Sequence, residues 1–406
     1  MASLTEETHG RHMKEGEFVS PSQRGAKRLT ESAETSDSAE RFSPLHQQHL
    51  DAGASFTDFA GWQMPVRYSS ELAEHLAVRT KAGLFDLSHM GEIVVLGPQS
   101  AQALDYALAG LISAMAIGQA KYSLLLAPDG GILDDLVVYR TGIDRFIIVA
   151  NASNQAVVAA ALLERVSAFD CQVFDESEDI ALIALQGPLA LEILSQVPGV
   201  TVNELSELGF YRQVPANFNG HNLLVARTGY TGEDGFELYL SPDAAPQLWQ
   251  AIVETGAGSG LVLAGLASRD TLRLEAGMPL YGHELSLNIR PAQAGLGRAV
   301  NLTKPGDFVG RAAVEAAPPV GARTLVGLRS NGKRSGRAGY RVLDAAGTEV
   351  GAITSGALSP TLGYPIAMAF VDPTAAAIGT ALFIDVRGTS VAASVTSLPF
   401  YQRKSN

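Results

Sequence analysis

A glycine-bounded acidic turn leads into an alternating segment that could fix a carboxylate for ligand binding. The segment reads GYTGEDGFELYL over residues 229–240. On a β-strand, Phe236 and Leu238 would face a core while Glu237 faces the opposite side. A carboxylate held in this way suits a heterocycle with two parallel N–H donors, because a bidentate charge-assisted pair is strong and directional. The pattern therefore indicates a binding carboxylate at Glu237 or, alternatively, a hairpin turn followed by a solvated glutamate.

Two adjacent aspartates interrupt a second, otherwise apolar segment. It reads GGILDDLVVYR over residues 130–140 and has the form of a turn entering a strand. Since neighbouring side chains on a strand point to opposite faces, at most one of Asp134 and Asp135 can enter a given cavity. Acidic residues are poor strand formers and cost free energy when they are buried unpaired. The pair therefore favours a functional role for one aspartate, with an exposed face or a sheet edge as the structural alternative.

An arginine and two aromatic residues complete the candidate chemistry. Arg269 lies on a predicted helix with Arg273 four residues further on, and its planar guanidinium could orient Glu237 or bind a ligand carboxylate. A salt bridge between domains is the alternative role. Trp62 and Tyr122 could line an aromatic slot, although core packing is the more common use of an isolated tryptophan.

The composition describes an acidic globular protein. The 406 residues are 46% hydrophobic, carry a formal net charge of -12 and include a single cysteine, Cys171. The length and apolar content predict two or three domains, each with its own core. The acidic balance argues against nucleic acid or an anionic membrane as a partner, and no apolar run is long enough for a transmembrane helix. Because no disulfide can form within the chain, the cytoplasm is the expected compartment.

Several common enzyme signatures are missing, and no metal site is expected. The glycine-rich run at 295–300 lacks the third glycine of a dinucleotide-binding loop, and neither a P-loop nor a serine nucleophile elbow occurs. His46 and His49 would need further metal ligands that the nearby sequence does not supply. The basic run at 329–337 is expected to be a solvated loop or a contact for an acidic partner.

The remaining sequence predicts two similar α+β units and a β-rich C-terminal part. Residues 70–84 have the serine start and glycine stop of a helix. After it, the order strand, helix, hairpin, strand, helix occurs up to about Ala168 and again after Ile180. A Gly-Pro step starts the first helix of each unit, at Gly97-Pro98 and Gly187-Pro188. Beyond a linker at 316–321, short strands separated by turns predict a small barrel or sandwich.

Six segments together resemble the aminomethyltransferase, or T-protein, family of the glycine cleavage system. They are FTDFAGWQMPVRY (56–68), GLFDLSHMGEI (83–93), GGILDDLVVYR (130–140), RTGYTGEDGFEL (227–238), SRDTLRLEAGMPLYGHEL (268–285) and GAITSGALSPTLGYPIAMAFV (351–371). The resemblance covers Phe42 to Tyr401 in the family's order. It implies an α+β fold in a three-domain cloverleaf, with two interleaved α+β domains with antiparallel sheets and a C-terminal β-barrel around a central folate channel.

The implied domain boundaries follow from the same resemblance. The two α+β domains form a folate-binding region at 42–315, in which the second domain is inserted at about 71–175. The C-terminal β-barrel domain occupies 316–406. Residues 1–41 fall outside the resemblance and are rich in Ser, Thr and Glu with few large apolar residues, so they are predicted to be a disordered tail.

The activity implied by the resemblance is that of a folate-dependent one-carbon transferase in glycine catabolism. The family transfers the methylene carbon from the aminomethyl-lipoyl arm of H-protein to tetrahydrofolate. The products are ammonia, 5,10-methylenetetrahydrofolate and dihydrolipoyl H-protein. Tetrahydrofolate is thus the implied cosubstrate and lipoylated H-protein the implied partner, with no metal.

The resemblance also implies roles for the candidate binding residues. Glu237 would accept the N3–H and 2-amino donors of the pteridine, and Arg269 would orient Glu237 or hold the folate. Other residues that match positions around the folate in the family are Met90, Tyr122, Asn151 and Tyr230.

Asp135 is the expected catalytic residue, because related folate-dependent demethylases carry Ser-Asp where this chain has Asp134-Asp135. Its expected place is near folate N10, where the carboxylate would stabilise cationic iminium character as ammonia leaves. Folate N5 would be the nucleophile, so no covalent intermediate with the protein is needed. Whether Asp134 shares the role stays open at this point.

Two other activities of the same fold are the alternatives. One is a folate-dependent demethylase, but such proteins usually carry an attached oxidase domain, and this chain has no nucleotide-binding fingerprint. The other is a non-enzymatic folate-binding protein of iron–sulfur cluster assembly. Those proteins carry a Lys-Gly-Cys motif, whereas this chain reads KPGDFVGR at 304–311 with no cysteine.

Overall fold

The structure is a computed structural model that describes residues 40–316 and 318–403. Most of the predicted disordered tail, residues 1–41, lies outside the described residues. Its last residue does not, because Arg41 starts a short strand and stacks its guanidinium 4.1 Å from the ring centre of Trp62. Regular structure therefore includes Arg41, which the prediction assigned to the tail.

The described helices and strands fall into four groups in chain order. The first group is β1 (Arg41–Phe42), α1 (His46–Asp51), β2 (Ser55–Phe59), β3 (Trp62–Arg67), α2 (Glu71–Thr80) and β4 (Ala82–Asp86). The second is β5 (Gly91–Leu96), α3 (Ser100–Ala107), β6 (Ala120–Leu126), β7 (Ile132–Arg140), β8 (Arg145–Ala150), α4 (Gln155–Arg165) and β9 (Gln172–Asp175). The third is β10 (Ala181–Gln186), α5 (Ala190–Gln196), β11 (Val200–Val202), β12 (Gln213–Phe218), β13 (His221–Ala226), β14 (Gly235–Leu240), α6 (Ala245–Gly256), β15 (Leu261–Leu263) and α7 (Leu266–Glu275). The fourth is α8 (Arg311–Glu315), β16 (Thr324–Ser330), β17 (Arg341–Leu343), β18 (Glu349–Leu358), β19 (Pro365–Val371), β20 (Ala381–Val386) and β21 (Thr389–Thr396).

Two main sheets are interleaved in sequence. The second group forms an antiparallel five-stranded sheet in the order β6-β7-β8-β5-β9. The seven-stranded sheet has the order β11-β12-β13-β14-β10-β4-β15, and in it β15 runs parallel to β4. Since β4 precedes the five-stranded sheet and belongs to the seven-stranded one, the insertion starts after Asp86. The predicted start near residue 71 is too early.

The two sheets share a topology, which confirms the predicted repeat. The order β6-β7-β8-β5 in one sheet matches β12-β13-β14-β10 in the other. A Gly-Pro step follows the fourth strand of each set. Gly97 has a φ angle of 144°, and a Cβ added there would lie 2.6 Å from the Cys171 Cα. Gly187 has a φ angle of 129°, and a Cβ added there would lie 2.5 Å from the Lys81 carbonyl oxygen. The backbone conformation and the close approach both require glycine at this corner.

The helix predicted at 70–84 is too long. Ser70 caps its start, as its side chain accepts a hydrogen bond from the Ala73 amide, but α2 ends at Thr80. The following apolar residues form β4, which is buried along its whole length between β10 and β15. Sheet pairing therefore overrides the helical periodicity there. In the described part of the chain, no helix is long and apolar enough to cross a membrane.

The C-terminal strands close into a barrel rather than forming a sandwich. The barrel order is β16-β19-β18-β17-β20-β21. Its interior is filled by aliphatic side chains that include Leu328, Val342 and Ile384, each at most 2% exposed. The architecture confirms the predicted α+β class with a C-terminal β-barrel.

The two main sheets face each other across a shared core. Val94, Ile147 and Tyr139 of the five-stranded sheet pack with Leu182 and Tyr239 of the seven-stranded sheet. The opposite face of each sheet is covered by its own helices. Residues on the inner faces can therefore meet, although they lie far apart in the sequence.

Candidate functional site

A cavity of about 270 Å³ lies at the place where the two sheets face each other. Its walls come from β7, β10 and β14, from helix α7 and from the loop at 277–280. The walls include all the binding and catalytic residues predicted from the sequence: Met90, Tyr122, Asp135, Asn151, Tyr230, Glu237 and Arg269. The fold thus brings the seven residues to one cavity, while the roles assigned to them stay predictions.

Glu237 presents one oxygen to the protein and one to the cavity. Its Oε2 accepts hydrogen bonds from the Thr228 hydroxyl, from the Tyr139 hydroxyl at 3.0 Å and from the Tyr239 hydroxyl at 3.4 Å. Its Oε1 has no hydrogen-bond partner among the described residues. The hydroxyl donors fix the carboxylate in one orientation, and Oε1 is left free to accept a hydrogen bond from a ligand.

The tyrosines around Glu237 are neutral hydrogen-bond donors. Burial, together with the charge of Glu237, raises the pKa of both Tyr139 and Tyr239 well above the usual value. The same two causes raise the pKa of Tyr211, which also lines the cavity, to about 12. These phenols therefore stay protonated at neutral pH, so Tyr139 and Tyr239 keep the hydroxyl protons that they can donate to hydrogen bonds.

Asp135 faces the cavity, whereas Asp134 does not line it. The Asp135 carboxylate accepts hydrogen bonds from the Tyr122 hydroxyl at 3.0 Å and from the Asn151 side-chain amide at 2.9 Å. Burial raises the pKa of Asp135, although both hydrogen bonds lower it. The separation of the two aspartates confirms the expectation that at most one of them enters the cavity.

Asp134 is fully buried and also contacts Asn151. Its Oδ1 accepts hydrogen bonds from the side-chain amides of Asn151 at 2.9 Å and Asn154 at 2.7 Å. Its Oδ2 accepts one from the Asn151 backbone amide at 3.1 Å. Burial and the charge of Asp135 raise the pKa of Asp134 to about 7. A single asparagine therefore joins both carboxylates.

Arg269 stacks on an aromatic ring instead of pairing with Glu237. Its guanidinium lies 4.7 Å from the ring centre of Tyr230, whose hydroxyl donates to the Pro279 carbonyl. Within the described residues, Arg269 and Glu237 form no ion pair. The predicted orienting role of Arg269 is therefore not seen, since hydroxyl groups orient Glu237. Contact with a bound ligand is the role that stays a prediction.

Arg273, one turn further along α7, has a structural position. It is 1% exposed, and its guanidinium pairs with Asp270 at 2.7 Å and with the buried Glu284 at 2.9 Å. It also donates to the Ser355 hydroxyl of the barrel at 2.8 Å. Arg273 therefore ties α7 to the C-terminal barrel.

The other acids of the glycine-bounded turn are paired within the protein. Glu233 lies 3.0 Å from the buried Arg79 guanidinium. Asp234 lies 2.6 Å from Arg227 and 3.2 Å from Arg403. These contacts shape the turn, and Glu237 is the acid of this segment that lines the cavity.

Sequence reasoning missed several cavity residues. Tyr139 could have been found, because strand alternation puts it on the same face of β7 as Asp135. Strand alternation also puts Tyr239 on the same face as Glu237, although no role was predicted for it. Thr228 carried no signal of its own. Tyr211 lies outside the regular strands, at a left-handed φ of 58°, and no sequence pattern points to it.

Two further ionisable residues of the segment at 83–93 are buried near the cavity, and burial shifts the pKa of each toward its neutral form. Burial, together with the charge of Arg269, lowers the pKa of His89 to about 3. Burial and the charges of Asp175 and Glu237 raise the pKa of Glu92 well above its usual value. In the described ranges, no group of three or more His, Cys, Asp or Glu side chains could hold a metal ion.

Comparisons with known proteins give consistent matches over almost the whole described chain. Residues 45–304 match the family model of the GCVT N-terminal domain, and residues 323–402 match that of the glycine cleavage T-protein C-terminal barrel domain. The chain is 55% identical to an aminomethyltransferase of Saccharopolyspora erythraea, over 90% of this chain and 99% of the relative. It is 56% identical to an aminomethyltransferase of Cutibacterium acnes, over 89% and 99%. The crystal structure of the glycine cleavage system aminomethyltransferase T from Bartonella henselae is similar, with a TM-score of 0.82, 38% identity and coverage of 90% of this chain and 99% of that one.

Proposed function

The chain belongs to the glycine cleavage T-protein family of aminomethyltransferases, and we propose that it transfers the methylene carbon of the aminomethyl-lipoyl arm of H-protein to tetrahydrofolate. The products would be ammonia, 5,10-methylenetetrahydrofolate and dihydrolipoyl H-protein. H-protein as the partner, tetrahydrofolate as the cosubstrate and the cytoplasm as the compartment are parts of this proposal.

The observation that carries the proposal is the cavity-lining Glu237, whose Oε1 has no hydrogen-bond partner among the described residues. A pteridine offers N3–H and 2-amino donors side by side, and a carboxylate is the matching acceptor. Oε1 can accept one of these donors, whereas Oε2 already accepts the Thr228 and Tyr139 hydroxyls and would accept the second ligand donor only as a shared acceptor. The cavity is therefore chemically suited to a pteridine.

The other cavity walls suit the flat ring of the same ligand. Leu87, Val149 and Leu182 supply apolar surface on the inner faces of the sheets. Arg269 and Tyr230 supply a cationic and aromatic wall. Apolar walls with a few fixed polar groups are typical of small-molecule sites.

Asp135 is the group that we assign to the reaction itself. Bound tetrahydrofolate supplies two nitrogens, N5 and N10, that take up the methylene carbon. Asp135, held by Tyr122 and Asn151, would supply a carboxylate near the positive charge that develops as ammonia departs and so lower the barrier electrostatically. Burial raises the pKa of Asp135. A cationic reactant nearby would oppose this effect and favour the ionised form of Asp135.

An assay with competing donors tests the proposal and separates it from the two alternatives. The purified protein is incubated with tetrahydrofolate and either aminomethyl-loaded H-protein or methylated glycines supplied with a two-electron acceptor, and ammonia and methylenetetrahydrofolate are measured. We expect both products in equal amounts with loaded H-protein. Product from methylated glycines alone would point to a demethylase, and folate binding without turnover of either donor would point to a binding protein.

A further inference from the structure

Asp134 is a buried acid on the face of β7 that points away from the cavity. Its side chain is fully buried, and its neighbours on that face, Leu136 and Val138, belong to the apolar core between the sheet and its helices. Its hydrogen-bond donors are neutral amides, and no basic side chain among the described residues pairs with it. A carboxyl group in such surroundings is costly, so apolar packing does not account for it.

The contacts of Asp134 and Asp135 together determine which way the Asn151 side chain faces. The Asn151 Nδ2 lies 2.9 Å from the Asp134 Oδ1 and 2.9 Å from the Asp135 Oδ1. It also lies 3.0 Å from the Asp135 carbonyl oxygen. An ionised carboxylate only accepts hydrogen bonds, so Asp134 draws the Nδ2 end of the amide toward β7.

The opposite end of the amide is thereby left for the cavity. Asn151 lines the cavity, and its Oδ1 has no hydrogen-bond partner among the described residues. If the amide were reversed, its oxygen would face two carboxylates and its NH2 group would face the ligand. Asp134 thus acts with Asp135 to exclude the reversed orientation by charge and hydrogen bonding.

We propose that Asp134 is a positioning residue of the transfer reaction, which acts through Asn151 to orient the Asp135 carboxylate and to present the Asn151 Oδ1 to the ligand. The inference rests on the proposed function, because it concerns the same cavity. Asp134 itself does not touch the ligand, and its effect reaches the reacting atoms through one amide.

The ionisation of Asp134 gives the proposal a pH dependence. The charged and titratable groups that face the two aspartates are Tyr281 beside Asp134 and Tyr122, Tyr211 and Tyr230 beside Asp135. Burial and the charge of Asp135 raise the pKa of Asp134 to about 7. The form that orients Asn151 is the ionised one, so turnover falls as pH decreases through about 7.

The test compares Asp134→Asn with Asp129→Asn, an exposed aspartate in the turn before the same strand. We expect Asp134→Asn to lower kcat about 10- to 100-fold, by analogy with the loss when a hydrogen-bonding partner of a metal-ligating residue is removed. The Kd for tetrahydrofolate should change much less, and the fall in turnover below pH 7 should disappear. Asp129→Asn should behave as the parent protein. Unchanged kcat in a folded Asp134→Asn variant would overturn the proposal.

A double-mutant cycle tests whether the effect passes through Asn151. If it does, Asp134→Asn should add little to the loss already caused by Asn151→Ala. Independent effects that multiply would contradict the proposal. Since the parent protein is assayed in the same series, absence of folate-dependent transfer by the parent would refute the proposed function instead.

Asn154→Ala keeps the proposal testable even if Asp134→Asn does not fold. Asn154 donates to Asp134 at 2.7 Å, and this hydrogen bond lowers the pKa of Asp134, whereas Asn154 does not line the cavity. Its removal should shift the fall in turnover to a higher pH. If turnover of Asn154→Ala falls at the same pH as turnover of the parent protein, the proposal is overturned.

Discussion

Replacement of Glu237 by glutamine is the perturbation whose size follows most directly from the structure. The carboxylate accepts hydroxyl donors from Thr228 and Tyr139 on Oε2, and its Oε1 is free within the described part of the chain. Glutamine keeps the shape but turns one acceptor into an NH2 donor. In one orientation of the glutamine amide, its NH2 group faces the Thr228 and Tyr139 hydroxyls, and in the other it faces the ligand. In both cases a hydrogen-bond donor stands where an acceptor is needed.

The expected loss of folate affinity is the loss of a charge-assisted interaction. A hydrogen bond to a charged group contributes about 1.5–3 kcal/mol, which corresponds to a roughly 10- to 150-fold increase in Kd. The protein should stay folded, because the surrounding hydroxyls can also accept hydrogen bonds. The assay is a direct titration with tetrahydrofolate at neutral pH.

The matched control is Glu192→Gln, which changes an exposed glutamate on α5 in the same way. Its Kd for tetrahydrofolate should equal that of the parent protein. Glu233 is less suitable as a control, because it pairs with the buried Arg79 and its loss would disturb the fold. A Glu237→Gln variant that binds tetrahydrofolate as tightly as the parent would refute the assignment of Glu237 to the pteridine.

Three further substitutions separate binding, turnover and stability. Asp135→Asn should lower turnover about 100- to 1,000-fold, while the Kd for tetrahydrofolate measured by titration stays within a few-fold of the parent value. Tyr139→Phe removes one donor to Glu237 at 3.0 Å, so the same titration should show a Kd roughly three- to tenfold higher, about 1 kcal/mol. Glu275→Gln breaks a buried cluster with His75 and Arg79, and urea unfolding at pH 7 should show a loss of about 3–5 kcal/mol.

The stability effect of Glu275 should depend on pH in a defined direction. Burial raises its pKa, but hydrogen bonding and charge from His75, together with Ser359 and Arg79, outweigh burial and lower it from 4.5 to about 2. The ionised form is therefore favoured in the folded state, and its contribution to stability is complete above about pH 4.5. The difference between parent and Glu275→Gln should shrink as pH falls from 4.5 toward 2. A difference that is as large at pH 3 as at pH 7 would contradict this assignment.

Much of the fold could be predicted because local patterns and tertiary packing agree. The strands β7, β8 and β20 lie where alternating or continuous apolar residues are bounded by clear turns. The segment 81–84 could not be predicted in this way, because its apolar residues fit both a helix end and a buried strand. Only pairing with β10 and β15, which lie far along the chain, decides between them.

The residues of the candidate site were also predictable where a local sequence pattern singled them out, and not where they depend on contacts between elements. Glu237 and Asp135 stand out in the sequence because an acidic residue within an apolar strand is costly to bury and therefore indicates a function. The support that Thr228 gives to Glu237 was not predictable, because it depends on a contact between elements. The partner of Arg269 was missed for the same reason, as its stacking on Tyr230 depends on how α7 meets the acidic turn.

Transfer of a labelled methylene carbon tests the central claim most directly. H-protein is loaded with an aminomethyl group labelled with carbon-13 and mixed with the protein and tetrahydrofolate, and the label is followed by nuclear magnetic resonance. We predict that it moves to the carbon between N5 and N10 of the folate, with one ammonia released per label transferred. Label that stays on H-protein in the presence of active, folate-bound protein would contradict the claim.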